Sequence, residues 1–183
     1  LKMTAAPDVG GDTMWTDLVA AFKELSKPMQ DLCSSITALH DASPHMHPEK
    51  MMIHPVVRKH PDTGEAVLYV NEHFTRRVVE LSHEESEQLL SFLTKWVQKP
   101  DFSVRYKWSK NTIAIWDNRS TQHFVVNNFE GERIIQRVTV TGDIVEPFGE
   151  LNHDAWSNNN KFSAKSRNDL QLIGYLDSQK ENH

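Results

Sequence analysis

The chain has 183 residues, with Lys+Arg 20 against Asp+Glu 25, a net charge of −5 with its ten His neutral. That is one domain's worth of chain, and the mild acidity argues against a nucleic-acid surface or an anionic membrane as the main partner. A single Cys, Cys33, excludes a disulfide framework and a Cys-based zinc site and fits a reducing, cytoplasmic setting, while no apolar run reaches the ~18 residues of a membrane span.

No secretory signal is visible, and because the sequence opens at Leu1 rather than Met its natural start is expected upstream. The first residues read as a strand end running into the turn Gly10-Gly11. Asp12 or Thr13 then caps a helix whose apolar face is Trp15, Leu18, Val19, Phe22 and Leu25. Ser26-Lys27-Pro28 starts a second amphipathic helix carrying Met29, Leu32, Ile36 and Leu39. Residues 40–54 hold four His, two Pro and three Met without a clear period, and read as a loop. Strands are expected at His54–Arg58 and Ala66–Asn71, joined by a turn at His60-Pro61-Asp62-Thr63-Gly64. The clearest helix is 83–97, opened by the capping box of Ser82 and Glu85 and closed by Lys99-Pro100. Phe102, Val104, Tyr106 and Trp108 alternate as a half-buried strand; further strands are expected at Ile113–Asp117 and Arg133–Thr141. The segment 151–183, rich in Asn, Ser, Lys and Asp, is expected to be a surface tail. This order predicts an α+β, mainly β domain over 1–150, with an antiparallel sheet or jelly roll preferred to a parallel sheet.

Alternation along the 133–141 strand places Arg133 and Arg137 on one face, about 13 Å apart at the usual strand rise. Both faces are largely apolar, so both are expected to be covered, and two covered guanidiniums require anions. They could serve two anionic groups of one ligand or one on each of two, or pair structurally with Asp or Glu. His123, ten residues before Arg133, can be brought near that face by a hairpin, or can be a packed histidine. His60-Pro61-Asp62 spells the His-x-Asp of a facial iron site, but Pro-Asp-Thr-Gly is ordinary turn chemistry, and the turn reading is preferred. No phosphate-loop, dinucleotide or serine-hydrolase motif is present, and Cys33, beside Leu32 in a helix, reads as a buried, inert thiol.

Several blocks occur in a distinctive order. They are Gly10-Gly11-Asp12-Thr13-Met14-Trp15, His54-Pro55-Val56-Val57-Arg58, Val70-Asn71-Glu72-His73-Phe74-Thr75 and Ile115-Trp116-Asp117-Asn118-Arg119-Ser120-Thr121-Gln122-His123. Arg133 through Arg137 and Gly142-Asp143 follow. Together they resemble the taurine dioxygenase family of Fe(II)- and 2-oxoglutarate-dependent oxygenases, most closely its sulfonate-cleaving members, over residues 9–145. The resemblance implies a double-stranded β-helix, or jelly roll, with flanking helices. It implies His123 as an iron ligand, Thr13 and Arg133 on the remote carboxylate of 2-oxoglutarate, Arg137 on a substrate sulfonate, and Phe74 in the substrate pocket. Trp116 and Asp117 are expected to buttress the site. The family's H-x-D ligands lie upstream of the Gly-Gly-Asp-Thr block, and relatives carry a longer insertion at 40–54 that holds part of a substrate lid.

The implied activity is hydroxylation of a small sulfonate such as taurine beside the sulfonate, consuming O2 and 2-oxoglutarate and releasing sulfite and an aldehyde. The same fold would serve an alkyl sulfate ester or an aryloxyacetate, and an iron-free binding module is the non-catalytic alternative. Neither nucleic acid nor membrane is an expected partner, and self-association into a homo-oligomer is left open.

Overall fold

The computed structural model describes residues 1–151 together with Leu172 and Tyr175. Chain order is β1 (Lys2–Ala5), β2 (Thr13–Asp17), α1 (Leu18–Lys23), α2 (Lys27–Ser34), β3 (Thr37–Ala42), β4 (His47–Pro55), β5 (Val57–Lys59), β6 (Ala66–Leu68), β7 (Thr75–Val78), α3 (His83–Trp96), β8 (Ser103–Tyr106), β9 (Thr121–Val125) and β10 (Ile134–Gln136). All strand pairings are antiparallel. They form the sheets β8-β2-β9, β4-β3-β7, β1-β10 and β5-β6. Strands far apart in sequence pair while helices stay at the flanks, which is the jelly-roll arrangement.

The core lies between the helices and the β5-β6 and β7 strands. Leu18, Ala21 and Phe22 of α1 and Leu89 and Leu93 of α3 meet Val57, Val67, Leu68 and Val78. Each fully buried large aliphatic side chain contributes about 1.5–3 kcal/mol. The α3 helix starts where its sequence says: Ser82 and Glu85 form a reciprocal capping box. It is pinned to β7 by Ser86, whose hydroxyl accepts the Val78 amide at 2.9 Å. Buried Glu80 accepts both the amide and the hydroxyl of Thr37, at 2.8 and 2.7 Å, and so ties the end of β7 to the start of β3.

Several expectations are corrected. The helix read from Asp12 or Thr13 begins only at Leu18, and Asp17 is its N-cap, accepting the amides of Val19 and Ala20 at 2.9 and 3.0 Å. Thr13–Asp17 is instead a central strand, because pairing to both β8 and β9 satisfies its backbone on two sides. The second helix stops at Ser34, and Leu39 belongs to β3. Residues 40–54 are not a loop but most of the β3–β4 hairpin, turning at Ser43–Met46 with Met46 at φ 63°. Ile113–Asp117 forms no strand and makes only a bridge from Ile113 to Lys2. The strand expected over Arg133–Thr141 is confined to Ile134–Gln136, where β1 supplies a partner. Its continuation is open to solvent, with Val138 88% and Val140 87% exposed, so the expectation of two covered faces does not hold. Of the segment read as a surface tail, Leu172 is buried against Leu39 and Val79 and Tyr175 packs against the same cluster; the remaining residues of 152–183 lie outside the described ones.

Candidate active site

Register builds the site. Trp15 of β2 lies opposite His123 of β9, and Thr13 opposite Val125, so all four side chains project from one face of the β8-β2-β9 sheet. Tyr106 of β8 also faces Thr13, and Trp108 follows on the same side. The Trp108 indole donates to the Thr13 hydroxyl at 2.8 Å in a fully buried contact. Since that hydroxyl accepts from Trp108, its own proton is free to donate to a ligand. The Trp15 ring contacts Trp116 at 5.3 Å, and Trp116 packs edge-on against His123 at 4.9 Å.

Immediately before Thr13 the chain turns through Gly10 at φ 77° and Gly11 at φ 69°, a left-handed path that glycine takes without strain. The turn aims the Gly11 carbonyl at Arg133, whose Nε donates to it at 3.0 Å. A Cβ on Gly11 would sit 3.0 Å from the Arg133 Cδ, so the guanidinium stem lies flat on this glycine. Arg133 Nη2 is buried and has no hydrogen-bond partner, and burial holds the guanidinium pKa below its ordinary value. An oriented, desolvated donor beside a free Thr13 hydroxyl is the chemistry required by a carboxylate. The pair therefore fits a carboxylate.

His123 is half-buried, and burial, followed by the nearby charge of Arg137, holds its pKa below the ordinary 6.5. The imidazole is thus neutral near pH 7, the form that binds metal. Arg137 is exposed, and its Nε donates to the Thr139 hydroxyl at 3.0 Å. Among the described residues no group of three or more His, Cys, Asp or Glu is arranged to hold a metal ion. The described residues around His123 therefore do not by themselves make up a three-donor metal set.

The structure gathers Thr13, Arg133, His123 and Arg137, but sets Phe74 apart. Phe74 lines a groove of about 550 Å³ with His40, His54, Tyr69 and the two methionines of β4; its walls include none of His123, Arg133 and Arg137. Trp116 touches His123 directly, whereas Asp117 acts one step away. Its carboxylate takes the backbone amide and guanidinium of Arg119, and the Arg119 group holds its pKa well below the usual carboxylate range. Arg119 also pairs with Asp62 and Asp143, at 2.6 and 2.9 Å, which fastens the entry of β9 to the 60–64 turn. His60 belongs to that turn. Its Nδ1 accepts the amides of Asp62 and Thr63 at 3.3 and 3.2 Å, and its Nε2 faces the Asp117 carboxylate at 3.2 Å. Both ring nitrogens are committed, as the turn reading requires. Three contributors escaped the sequence reading: the Gly11 carbonyl, Trp15 and Trp108. The Gly-Gly pair before Thr13 was the available signal for the first.

The family described as "Taurine catabolism dioxygenase TauD, TfdA family" matches residues 1–139. The chain is 40% identical over 141 residues to an alpha-ketoglutarate-dependent sulfonate dioxygenase of Saccharomyces cerevisiae, covering 70% of this chain and 34% of that protein. It is 34% identical over 165 residues to an alpha-ketoglutarate-dependent sulfate ester dioxygenase of Pseudomonas putida, covering 79% and 54%. The crystal structure of a taurine dioxygenase from Burkholderia xenovorans superposes with a TM-score of 0.66 at 38% identity, over 69% of this chain and 45% of that one. The chain thus spans between a third and just over half of the length of these proteins. With the match running from the first residue through the Arg133–Arg137 segment, the chain belongs to the TauD/TfdA dioxygenase family.

Proposed function

We propose that this chain is part of an Fe(II)- and 2-oxoglutarate-dependent dioxygenase that hydroxylates a small sulfonate on the carbon bearing the sulfonate. The observation that carries this reading is Arg133, whose Nε donates to the Gly11 carbonyl, two residues before Thr13, and whose buried Nη2 has no partner; Thr13 opens the strand that pairs with that of His123. Arg133 and Thr13 hold the remote carboxylate of 2-oxoglutarate. His123 is one iron ligand; the other two are assigned to the H-x-D pair that the family places upstream of the Gly-Gly-Asp-Thr block. When bound, the iron couples reduction of O2 to decarboxylation of 2-oxoglutarate into succinate and CO2. Arg137 pairs with the substrate sulfonate and fixes which carbon faces the metal. The hydroxylated product loses its C–S bond as the new hydroxyl becomes an aldehyde carbonyl, and sulfite leaves. The aromatic wall of Trp15, Trp108 and Trp116 keeps water from the reacting centre. Cys33, whose thiol is pushed up to about 12 by burial, takes no part, and a cytoplasmic setting keeps it reduced.

The relatives at 34–40% identity support both a sulfonate and a sulfate ester substrate, since a guanidinium pairs with either head group. The test is stoichiometry in the full-length protein. Supplied with Fe(II), 2-oxoglutarate and taurine or a short alkyl sulfate, it should form succinate in step with sulfite or sulfate. Arg133→Ala should raise the 2-oxoglutarate requirement at least tenfold, and an unchanged requirement would remove the assignment.

A further inference from the structure

Arg133 is held by more than the Gly11 carbonyl. Its Cζ lies 5.8 Å from the centroid of the Phe129 ring, within reach of a cation–π contact. A glycine thus meets the stem of this side chain and an aromatic ring meets its head. Phe129 ends the segment 126–129, which follows β9 and is tied to the Gly10–Gly11 turn. The Val126 amide donates to the Asp12 carbonyl at 2.8 Å, and the Asn128 carboxamide oxygen accepts the Gly11 amide at 3.4 Å. The Asn128 amide donates to the Val126 carbonyl at 2.9 Å, which tightens the segment on itself. A Cβ on Gly10 would sit 2.3 Å from the Asn128 carbonyl oxygen and 2.8 Å from its Oδ1, so turn and segment touch with no room to slide. Gly11 is therefore held at both ends, its amide by Asn128 and its carbonyl by the Arg133 Nε at 3.0 Å.

The groups that hold Arg133 are all neutral. Among the described residues no Asp or Glu pairs with it. Glu130 and Glu132, close by in sequence, border a separate cleft with Asp8 and Lys110. A carboxylate partner would orient the guanidinium but also take up its charge, and an incoming carboxylate would have to displace it. A carbonyl and a ring orient the cation and leave its charge for a ligand. Both contacts leave Nη2 without a hydrogen-bond partner.

We propose that Phe129 and Asn128 are positioning residues that fix the Arg133 guanidinium, and that this fixed cation sets the length of the 2-oxo diacid the protein accepts. The assignment rests on the 2-oxoglutarate reading above. With the 2-oxo acid end of the diacid held elsewhere in the site, the span left to Arg133 counts the methylenes between the two ends. A guanidinium that cannot follow loses its hydrogen-bond geometry to a diacid one carbon longer. A guanidinium free to swing on its long stem would meet either acid.

The test titrates 2-oxoglutarate and 2-oxoadipate, which is one methylene longer, calorimetrically into the Fe(II)-loaded full-length protein without O2. The unmutated protein should prefer 2-oxoglutarate at least tenfold. Phe129→Leu removes the ring but keeps an apolar side chain. It should weaken 2-oxoglutarate roughly threefold to tenfold and 2-oxoadipate by less, so that the preference narrows. Phe129→Tyr keeps the ring and should restore both affinities. Asn128→Ala, at an exposed position, should narrow the preference in the same direction and serves if the Leu variant fails to fold. In the protein without either acid, the Arg133 Nε–H resonance should move with Phe129→Leu and return with Phe129→Tyr. Equal weakening of both acids, unaltered affinities, an unmoved resonance, or no preference in the unmutated protein would overturn the proposal. If the unmutated protein binds neither acid, the co-substrate reading fails and this role fails with it. Binding of 2-oxoglutarate that is lost with Arg133→Ala but indifferent to Phe129 and Asn128 removes only the positioning role.

Discussion

The Gly11 carbonyl is the hinge of the proposed 2-oxoglutarate clamp, and Gly11→Ala tests it. At φ 69° an alanine incurs the left-handed penalty of roughly 1–2 kcal/mol. Its Cβ would also meet the Arg133 Cδ at 3.0 Å, Nε at 3.2 Å and the Pro7 Cγ at 3.1 Å. The Pro7 ring and the backbone cannot retreat, so the long Arg133 stem must move, and the Nε contact to the Gly11 carbonyl goes with it. A charge-assisted contact inside a closed site is worth about 2–5 kcal/mol when lost outright. Partial displacement should forfeit about half, so 2-oxoglutarate affinity should fall roughly fivefold to sixtyfold, at about 1.4 kcal/mol per decade. The assay is calorimetric titration of 2-oxoglutarate into the full-length protein, with urea unfolding to confirm a stability loss of only 1–2 kcal/mol, as is usual for roughly this strain. Gly142→Ala is the control: nothing lies within 4 Å of a Cβ there, and affinity should stay within about twofold. A destabilised Gly11→Ala protein with unaltered 2-oxoglutarate affinity would refute the claim that this carbonyl orients Arg133.

Two further outcomes follow from the same framework. Trp108→Phe removes the 2.8 Å donation to Thr13 and leaves that buried hydroxyl without its donor. The loss should be about 1–3 kcal/mol in urea unfolding, and the 2-oxoglutarate KM should rise severalfold while the KM for the sulfonate stays put. Arg119→Gln breaks the pairing to Asp62, Asp117 and Asp143. The Asp117 carboxyl pKa, read by NMR titration, should rise towards its ordinary value, and amide exchange at Ser120 and Thr121 should accelerate.

What could be read from the sequence was what local chemistry determines. Ser82 and Glu85 satisfy each other's neighbouring amides within one turn, so α3 was legible at its start. The hairpin at His60–Gly64 was legible for the same reason. The β2–α1 junction was not: Trp15, Leu18 and Phe22 keep helical spacing across a boundary that only pairing to two distant strands establishes. The β3 strand was hidden differently. Five of its six residues, Thr37 to Asp41, are buried, so no polar–apolar alternation marks it, and its partner β4 carries Pro48 and exposed residues. In the site, the motif around His123 and the Arg133–Arg137 spacing were readable. The contact of Arg133 with the Gly11 carbonyl spans 122 residues and leaves no periodic trace. Nor does any local pattern say that Arg58, in a block that reads as a plain strand, is buried without a partner.

Buried His40 makes acid stability a quantitative test of the groove. Burial, followed by the charges of His54 and Arg76, lowers its pKa from 6.5 to about 3, with Asp41 acting weakly the other way. Because the folded value lies below the unfolded one, the unfolded chain takes up the proton first as pH falls. The native state therefore keeps its full stability above pH 6.5 and loses it progressively down to about pH 3. Each unit in that window costs about 1.4 kcal/mol, so going from pH 7 to pH 4.5 should cost roughly 2.5 kcal/mol through this residue alone. His40→Phe keeps a flat ring to stack on Tyr69 but cannot take up a proton. Urea unfolding of both proteins at the two pH values, in buffer free of organic acids, isolates the effect, because the carboxylates and His54 titrate in both. The variant should lose about 2.5 kcal/mol less than the parent between pH 7 and pH 4.5. Parallel losses in the two proteins would mean that His40 reaches water or an anion in solution and is not held neutral by the packing of β3 against β4 and β7.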